Sequence, residues 1–176
     1  MLIEETVTYL EMTSPDQLVP GSPAPTPVEI ERLDETSTEA LRSTYARIAG
    51  PLGWIDRRDW PEERWRELMS RPGFAAWVAR AGGEVAGMVE LDVAPDGDVE
   101  IAVFGLVPEF VAKGYGGHLL TRGTLLAWKA KTQHGIRTKR VWLHTSSRDH
   151  PHARRNYERR GFRPFRTERR QREIPD

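Results

Sequence analysis

Residues 100–120 read EIAVFGLVPEFVAKGYGGHLL, and this stretch decides the fold. Residues 99–107, VEIAVFGLV, are apolar at successive positions, as a strand covered on both faces must be. After the segment Val111-Ala112-Lys113-Gly114-Tyr115-Gly116-Gly117, the residues Leu119, Gly123, Leu126 and Ala130 recur at helical spacing. The segment between is therefore a strand-to-helix turn. Its glycines let the backbone turn tightly and come close to a ligand. N–H groups at the start of the following helix point outward and favour a phosphate. A plain turn into a helix has the same local signature. No GK[ST] follows, so it is not a Walker loop, and it lacks the three-glycine dinucleotide pattern.

Downstream, residues 140–146, RVWLHTS, form the next strand. Asp149-His150-Pro151-His152-Ala153 then opens a helix, which Gly161 ends and Phe162 follows with a hydrophobic contact. Ala153, Tyr157 and Gly161 are four apart and share one helix face. Tyr157 is thus either a core aromatic or a site residue. Upstream, residues 74–82, 84–94 and 99–107 alternate with turns carrying Gly and Asp and predict antiparallel hairpins. Before them come a helix over 37–49 ending at Gly50-Pro51, a second helix starting near Pro61, and a strand at 28–33.

The chain has 176 residues and no cysteine, which fits one domain without disulfides, thiolate catalysis or Cys-ligated metal. No apolar run approaches the ~20 residues of a membrane-spanning helix, and the acidic start MLIEETVTYLEM lacks a basic leader region. A soluble, cytoplasmic protein is expected. Net charge is zero, but residues 131–176 hold 14 Lys+Arg against 5 Asp+Glu. Such a basic end suits either a nucleic-acid patch or solvated helix faces beside an anion site. The stretch lacks aromatic interleaving apart from Phe162 and Phe165 and matches no nucleic-acid motif, which disfavours the former.

Taken together, the two motifs resemble the GNAT superfamily of acyl-CoA-dependent N-acetyltransferases. The loop reads Val111-x-x-Gly114-x-Gly116, where the superfamily has Arg/Gln-x-x-Gly-x-Gly/Ala. The helix reads His150-x-x-Ala153-x-x-x-Tyr157-x-x-x-Gly161-Phe162, where the superfamily begins with Asn. The resemblance implies an α+β fold, a mixed, mostly antiparallel twisted sheet flanked by helices, over residues 28–170, with 171–176 a charged end. It implies acetyl-CoA as acyl donor, no metal, and a small-molecule or peptide amine as acceptor, acted on by a monomer or homodimer. The strand ending at 104–107 would bulge and splay from 140–146 to admit the pantetheine arm. Backbone groups of Leu106 and Val107 would pair with that arm and supply an N–H for the oxyanion. The N–H groups of Val111, Ala112, Lys113, Gly114, Tyr115, Gly116 and Gly117 would hold the pyrophosphate.

The resemblance also places Tyr157 as the general acid for the departing thiolate. An amine must lose a proton before it attacks, and Glu100, eleven residues before Val111, occupies the position of the catalytic glutamate in histone-type members. Glu90, Asp92 and His144 are further candidates for the base. Acceptor recognition would fall to the first helices, where Tyr45, Trp54 and Trp60 either hold a cationic group by cation–π contact or pack the helices onto the sheet. A non-catalytic acyl-CoA-binding module on the same fold is the competing reading.

One further expectation comes from counting strands. The superfamily carries two strands after the Gly-Phe, yet only 14 residues follow Phe162 here. Residues 5–12 alternate as a strand, within a 1–13 segment followed by the proline-rich stretch 14–27, expected to be an extended linker. They are predicted to enter the sheet between 140–146 and 162–168, from the same chain or a partner, and so close two open edges.

Overall fold

The computed structural model describes residues 1–175. Seven strands form one sheet: β1 (Leu2–Met12), β2 (Val28–Arg32), β3 (Phe74–Ala81), β4 (Glu84–Val93), β5 (Asp98–Leu106), β6 (Arg140–Ser146) and β7 (Arg163–Glu173). Their order is β2-β3-β4-β5-β6-β1-β7. Every neighbouring pair is antiparallel except β5–β6, which is parallel. The parallel pair is joined by helix α3 (Gly116–Lys129), the crossover that parallel strands require.

The strand period sorts side chains to two cores. On β3, Ala76 and Val78 face one side while Trp77 and Ala79 face the other. The first side is covered by α1 (Thr38–Leu52) and α2 (Glu62–Ser70), through Leu41, Tyr45, Ile48, Trp65 and Leu68. The second is covered by α3 and by α4 (Ala153–Arg159), through Leu119, Leu120 and Tyr157, with Phe162 just beyond. Leu10 and Met12 of β1 are fully buried in this second core, so the N-terminal strand is part of it.

The N-terminal strand lies in the expected place, within the same chain. Val7 to Met12 pair with Ser146 to Val141, and Leu2 to Glu11 pair with Glu173 to Arg163. It starts at Leu2 instead of residue 5, and β7 runs to Glu173 instead of 168, because each gives the other a ladder partner along its length. Residues 171–173 are therefore strand and not part of a charged tail. α1 also runs past Gly50-Pro51 to Leu52 and ends at Gly53, whose φ is 67°. Pro51 falls in the last turn of the helix, where its missing N–H removes one i→i−4 hydrogen bond just before the helix ends.

Residues 14–27 are extended for much of their length, but they are anchored across α3 and α4. Ser14 caps a short 3-10 turn, the Val19 N–H donates to the Arg160 carbonyl at 2.9 Å, and the Gly21 N–H donates to Thr121 Oγ1 at 2.9 Å. Thr26 and Tyr115 share a hydroxyl hydrogen bond of 2.8 Å. A Cβ on Gly21 would lie 2.7 Å from the Gly117 carbonyl carbon, so strap and helix meet where both lack side chains.

Candidate active site

β5 and β6 pair only through Asp98–Arg140, Val99–Val141 and Glu100–Trp142, then diverge. Beyond Glu100 the two strands enclose an open V. β5 also carries a bulge there: Glu90 pairs with Val103 and Leu91 with Ile101, which leaves Ala102 as the extra residue. The bulge thus lies ahead of 104–107, where it was expected. The Val107 N–H donates to the Ala86 carbonyl at 2.9 Å, so that group faces β4 and not the V. Because backbone direction alternates along a strand, Phe104 and Leu106 present their N–H and C=O groups to the open side. The edge offered to an extended ligand is therefore Phe104 with Leu106, and Val107 is not part of it.

The loop after β5 has a similar division. The Val111 N–H is taken by the Pro108 carbonyl at 3.2 Å. From Ala112 through His118 no backbone N–H finds an acceptor among the described residues. Ala112 adopts φ 59°, an uncommon conformation for a residue with a side chain, and it turns the chain so that these donors converge. The expected donor set consequently loses Val111 and gains His118. The Tyr115 side chain is buried against Phe110 and bonded to Thr26, so Tyr115 offers the loop its backbone only. Lys113 is exposed at the loop tip. Arg160, which carried no signal in the sequence, lays its guanidinium against the first turn of α3. A Cβ on Gly117 would collide with its Nη1, and its buried Nε has no hydrogen-bond partner among the described residues.

Two cavities meet at the V. One, of about 460 Å³, is lined by Phe104, Leu106, Gly114, Gly116 and Gly117 on the β5–α3 side and by Ala153, Asn156 and Tyr157 of α4. Its apolar walls and its ring of unused N–H groups suit a long thiol ester ending in a pyrophosphate. Asn156 Nδ2 donates to the Gly116 carbonyl at 3.1 Å and ties α4 to this rim. The other cavity, of about 480 Å³, is lined by Tyr45, Trp54, Glu100, His144, Arg148 and Asp149 among others. Four residues line both: Trp54, Phe104, Asp149 and Tyr157.

Tyr157 is 7% exposed and its ring stands edge-on to Phe104, 6.1 Å between centroids. Burial, with the Asp149 charge adding, raises its phenol well above the ordinary range, so it keeps its proton at any working pH. Glu100 has a raised pKa because it is withdrawn from water and sits near the carboxylates of Asp92 and Glu90. His144 Nε2 lies 3.9 Å from Glu100 Oε1, and partial loss of water on the cavity side of this half-exposed imidazole lowers its pKa. Glu100 and His144 thus stand together at the second cavity.

Glu90 and Asp92, both candidates for the base on sequence grounds, are committed to arginines. Glu90 is 2% exposed and receives both Nη atoms of Arg57 at 2.8 Å. Asp92 pairs with Arg71 at 3.2 Å. Arg57 also corrects the expected cation–π site. Its guanidinium carbon lies 5.1 Å from the Tyr45 ring, 5.1 Å from Trp60 and 5.7 Å from Trp65. The aromatic cage is filled by the chain's own arginine, held there by Glu90. Trp54 remains at the cavity, and its indole N–H is given to Asp149 at 2.9 Å. Asp149 was not expected at the site beyond the start of its motif. It also accepts from Thr145 Oγ1 at 2.8 Å and from the Ser146 N–H at 2.9 Å. Among the described residues no group of three His, Asp or Glu side chains is placed to hold a metal ion, and no helix is long and apolar enough to cross a membrane.

A splayed parallel pair, a donor-rich loop at a helix start and a tyrosine at the floor of the V define a GNAT-type acyltransferase site. The model of the GNAT acetyltransferase family matches residues 35–162. The chain belongs to that family. No curated protein matches it. Among solved structures, a conserved protein of unknown function from Staphylococcus epidermidis superposes with a TM-score of 0.66 at 15% identity, over 96% of this chain and 61% of that one. A GCN5-related N-acetyltransferase from Kribbella flavida gives 0.65 at 20% identity, over 94% and 57%. An aminoglycoside acetyltransferase from an uncultured soil metagenomic sample, in complex with sisomicin, gives 0.53 at 16%, over 66% and 76%. At these identities the likeness is one of fold. This chain spans less than two-thirds of the length of the first two.

Proposed function

We propose that the chain is an acetyl-CoA-dependent N-acetyltransferase that moves an acetyl group to a primary amine by direct attack on the thioester. The observation that carries this reading is the set of four residues common to both cavities. A donor laid along Phe104 and Leu106 meets an acceptor at Trp54, Asp149 and Tyr157. When bound, acetyl-CoA supplies the activated acyl group.

The chain's own residues supply the rest. The free N–H groups from Ala112 to His118 bind the pyrophosphate and fix the depth of the donor in the V. The outward N–H of Leu106 donates to the thioester oxygen as negative charge develops there. Glu100 takes the ammonium proton, directly or through a water, and its raised pKa brings it closer to the working pH. As the C–S bond breaks, Tyr157, kept protonated by burial, gives its proton to the departing sulfur and regains one from the attacking nitrogen, which gives up this second proton as the amide forms. The floor common to the two cavities supports this reading, since it would supply the proximity that a bimolecular transfer needs.

Melting curves with and without acetyl-CoA test the donor half. At about 100 times the dissociation constant a ligand adds about 2.7 kcal/mol of stability, so a clear rise in Tm is expected. Thiol release in the presence of a panel of amines tests the transfer. No rise in Tm with acetyl-CoA would overturn the reading. A rise without thiol release from any amine would leave a binding module.

A further inference from the structure

The acceptor cavity is rich in charge, and nearly all of it is already paired. Arg57 is held by Glu90 and Arg71 by Asp92. Arg172 meets Asp56 and lies 3.7 Å from Glu5, and Arg170 meets Glu168 at 2.8 Å and the Tyr9 hydroxyl at 2.6 Å. Arg148 is the exception. Its backbone N–H bonds Ser146 Oγ, but its guanidinium has no carboxylate or other acceptor among the described residues.

The place of that guanidinium is set by Gly53, the left-handed cap of α1. A Cβ on Gly53 would lie 3.3 Å from Arg148 Nη2, so the glycine opens the room the arginine uses. Arg148 precedes Asp149, which holds Trp54, so the free cation stands one residue from the floor shared by the two cavities. Glu100 and His144 line the same cavity. The unpaired cation and the proton-accepting carboxylate are thus separate features of one recess.

From this arrangement we propose that Arg148 receives a carboxylate of the acceptor, and that the acceptor class is a primary amine bearing a carboxylate, such as an amino acid. The proposal rests on the N-acetyltransferase reading above. A guanidinium presents a planar fork that matches a carboxylate with two parallel hydrogen bonds. With its carboxylate on Arg148, the acceptor's ammonium is turned away from that arginine, toward Glu100. A cavity of about 480 Å³ is of the size that takes a small molecule. A polycationic acceptor would meet Arg148 with no carboxylate left over to receive its extra charges, since those of Glu5, Asp56, Glu90 and Asp92 are already engaged.

The test is thiol release at saturating acetyl-CoA with matched acceptors: α-amino acids, their carboxamides and the corresponding decarboxylated amines. A hydrogen bond to a charged group contributes about 1.5–3 kcal/mol, so the amino acids are expected to show roughly 10- to 100-fold higher kcat/KM. Arg148→Ala should raise KM for the amino acids by a similar factor and abolish the preference, while the Tm rise with acetyl-CoA persists. Arg148→Lys should restore part of the preference. Equal or better turnover of the carboxamides and decarboxylated amines, or a preference that survives in Arg148→Ala, overturns this proposal alone. Absence of thiol release from every acceptor overturns it together with the N-acetyltransferase reading.

Discussion

The indole N–H of Trp54, just past the cap of α1, donates to the carboxylate of Asp149, just before α4, at 2.9 Å across 95 residues of chain. This bond joins the end of α1 to the segment that leads into α4, the helix that carries Tyr157. Asp149 uses its other oxygen for Thr145 and Ser146, so one carboxylate fixes three donors from two parts of the fold. Its negative charge also helps keep the Tyr157 phenol protonated.

Asp149→Asn tests this link. An amide keeps one acceptor oxygen and turns an NH2 toward donors, so at least one buried donor loses its partner. A loss of about 1–3 kcal/mol in unfolding free energy is expected, read from denaturant curves. Trp54→Phe removes one donor and leaves the carboxylate its other two, so it should cost less. Equal stability of Asp149→Asn and the parent would show that the three bonds are replaced by water.

Tyr157→Phe deletes a hydroxyl and little else, since the ring packing on Phe104 and Phe162 is unchanged. In the proposed mechanism the hydroxyl acts as the C–S bond breaks and not in holding the donor. Turnover should fall by about 10²–10⁴-fold, the usual worth of a general acid, with the acetyl-CoA shift in Tm retained. Parent-like turnover would remove Tyr157 from the chemistry.

Glu100 gives two opposite effects at once. Its pKa is raised by burial and by the neighbouring charges of Asp92 and Glu90, so in the fold the ionised form is disfavoured. The stability associated with a raised carboxyl pKa is present below the unfolded value and is lost as pH rises through the folded one. Glu100→Gln should therefore be more stable than the parent at pH 7 and should lose that advantage in acid, where Glu100 is protonated in both states. Turnover should move the other way, with the acid limb of the parent's kcat/KM profile, set by Glu100, absent in the variant. A variant less stable at pH 7 would show that the carboxylate has partners in the fold that offset its burial.

Much of this site was legible because its chemistry is local in sequence. Gly114 and Gly116 before an apolar helical repeat, and Ala153, Tyr157 and Gly161 at four-residue spacing, carry their geometry in their spacing. The place of β1 was legible from the resemblance, since the GNAT superfamily carries two strands after the Gly-Phe and the 14 residues after Phe162 leave room for one. What was not legible depends on side chains that meet across the fold. Nothing in the spacing of Tyr45, Trp60 and Trp65 reveals that Arg57 fills their cage, because its partner Glu90 is 33 residues away, on β4. Asp149 was hidden for the same reason. Val107 and Val111 failed as cofactor donors because the direction of a single N–H depends on register and turn type, which hydrophobic periodicity does not set. The proline-rich segment, expected as an extended linker, opens with a 3-10 turn and is anchored to the fold, and composition could not show that Gly21 would dock on Gly117.

The Arg57–Glu90 pair separates burial from function. The side chains are 15% and 3% exposed, and both hydrogen bonds are 2.8 Å. Removing one partner leaves an uncompensated buried charge, so Arg57→Ala or Glu90→Ala should each cost about 3–5 kcal/mol. Arg57→Met with Glu90→Leu, which removes both charges and keeps apolar volume among Tyr45, Trp60 and Trp65, should recover most of that loss. A double variant as unstable as the singles would mean that the cage needs the cation itself.

The last prediction concerns β1. This strand lies between β6 and β7, so without it β7 has no partner and β6 has a bare edge. It also brings Val7, Leu10 and Met12 to positions that are 0–3% exposed, and fully burying an aliphatic side chain stabilises by about 1.5–3 kcal/mol. Three such side chains together rival the whole stability of an ordinary domain, about 5–15 kcal/mol. Deletion of residues 1–13 should therefore abolish cooperative unfolding of the chain, not trim a tail. Leu10→Ala offers a graded version. In a site with no exposure it should cost about 2–5 kcal/mol, whereas Leu2→Ala, at 63% exposed on the same strand, should cost little. The ratio of the two losses distinguishes a strand built into the core from one merely laid along its edge. A truncated chain that still melted cooperatively near the parent's Tm would show that β2 to β6 and their helices hold together without it.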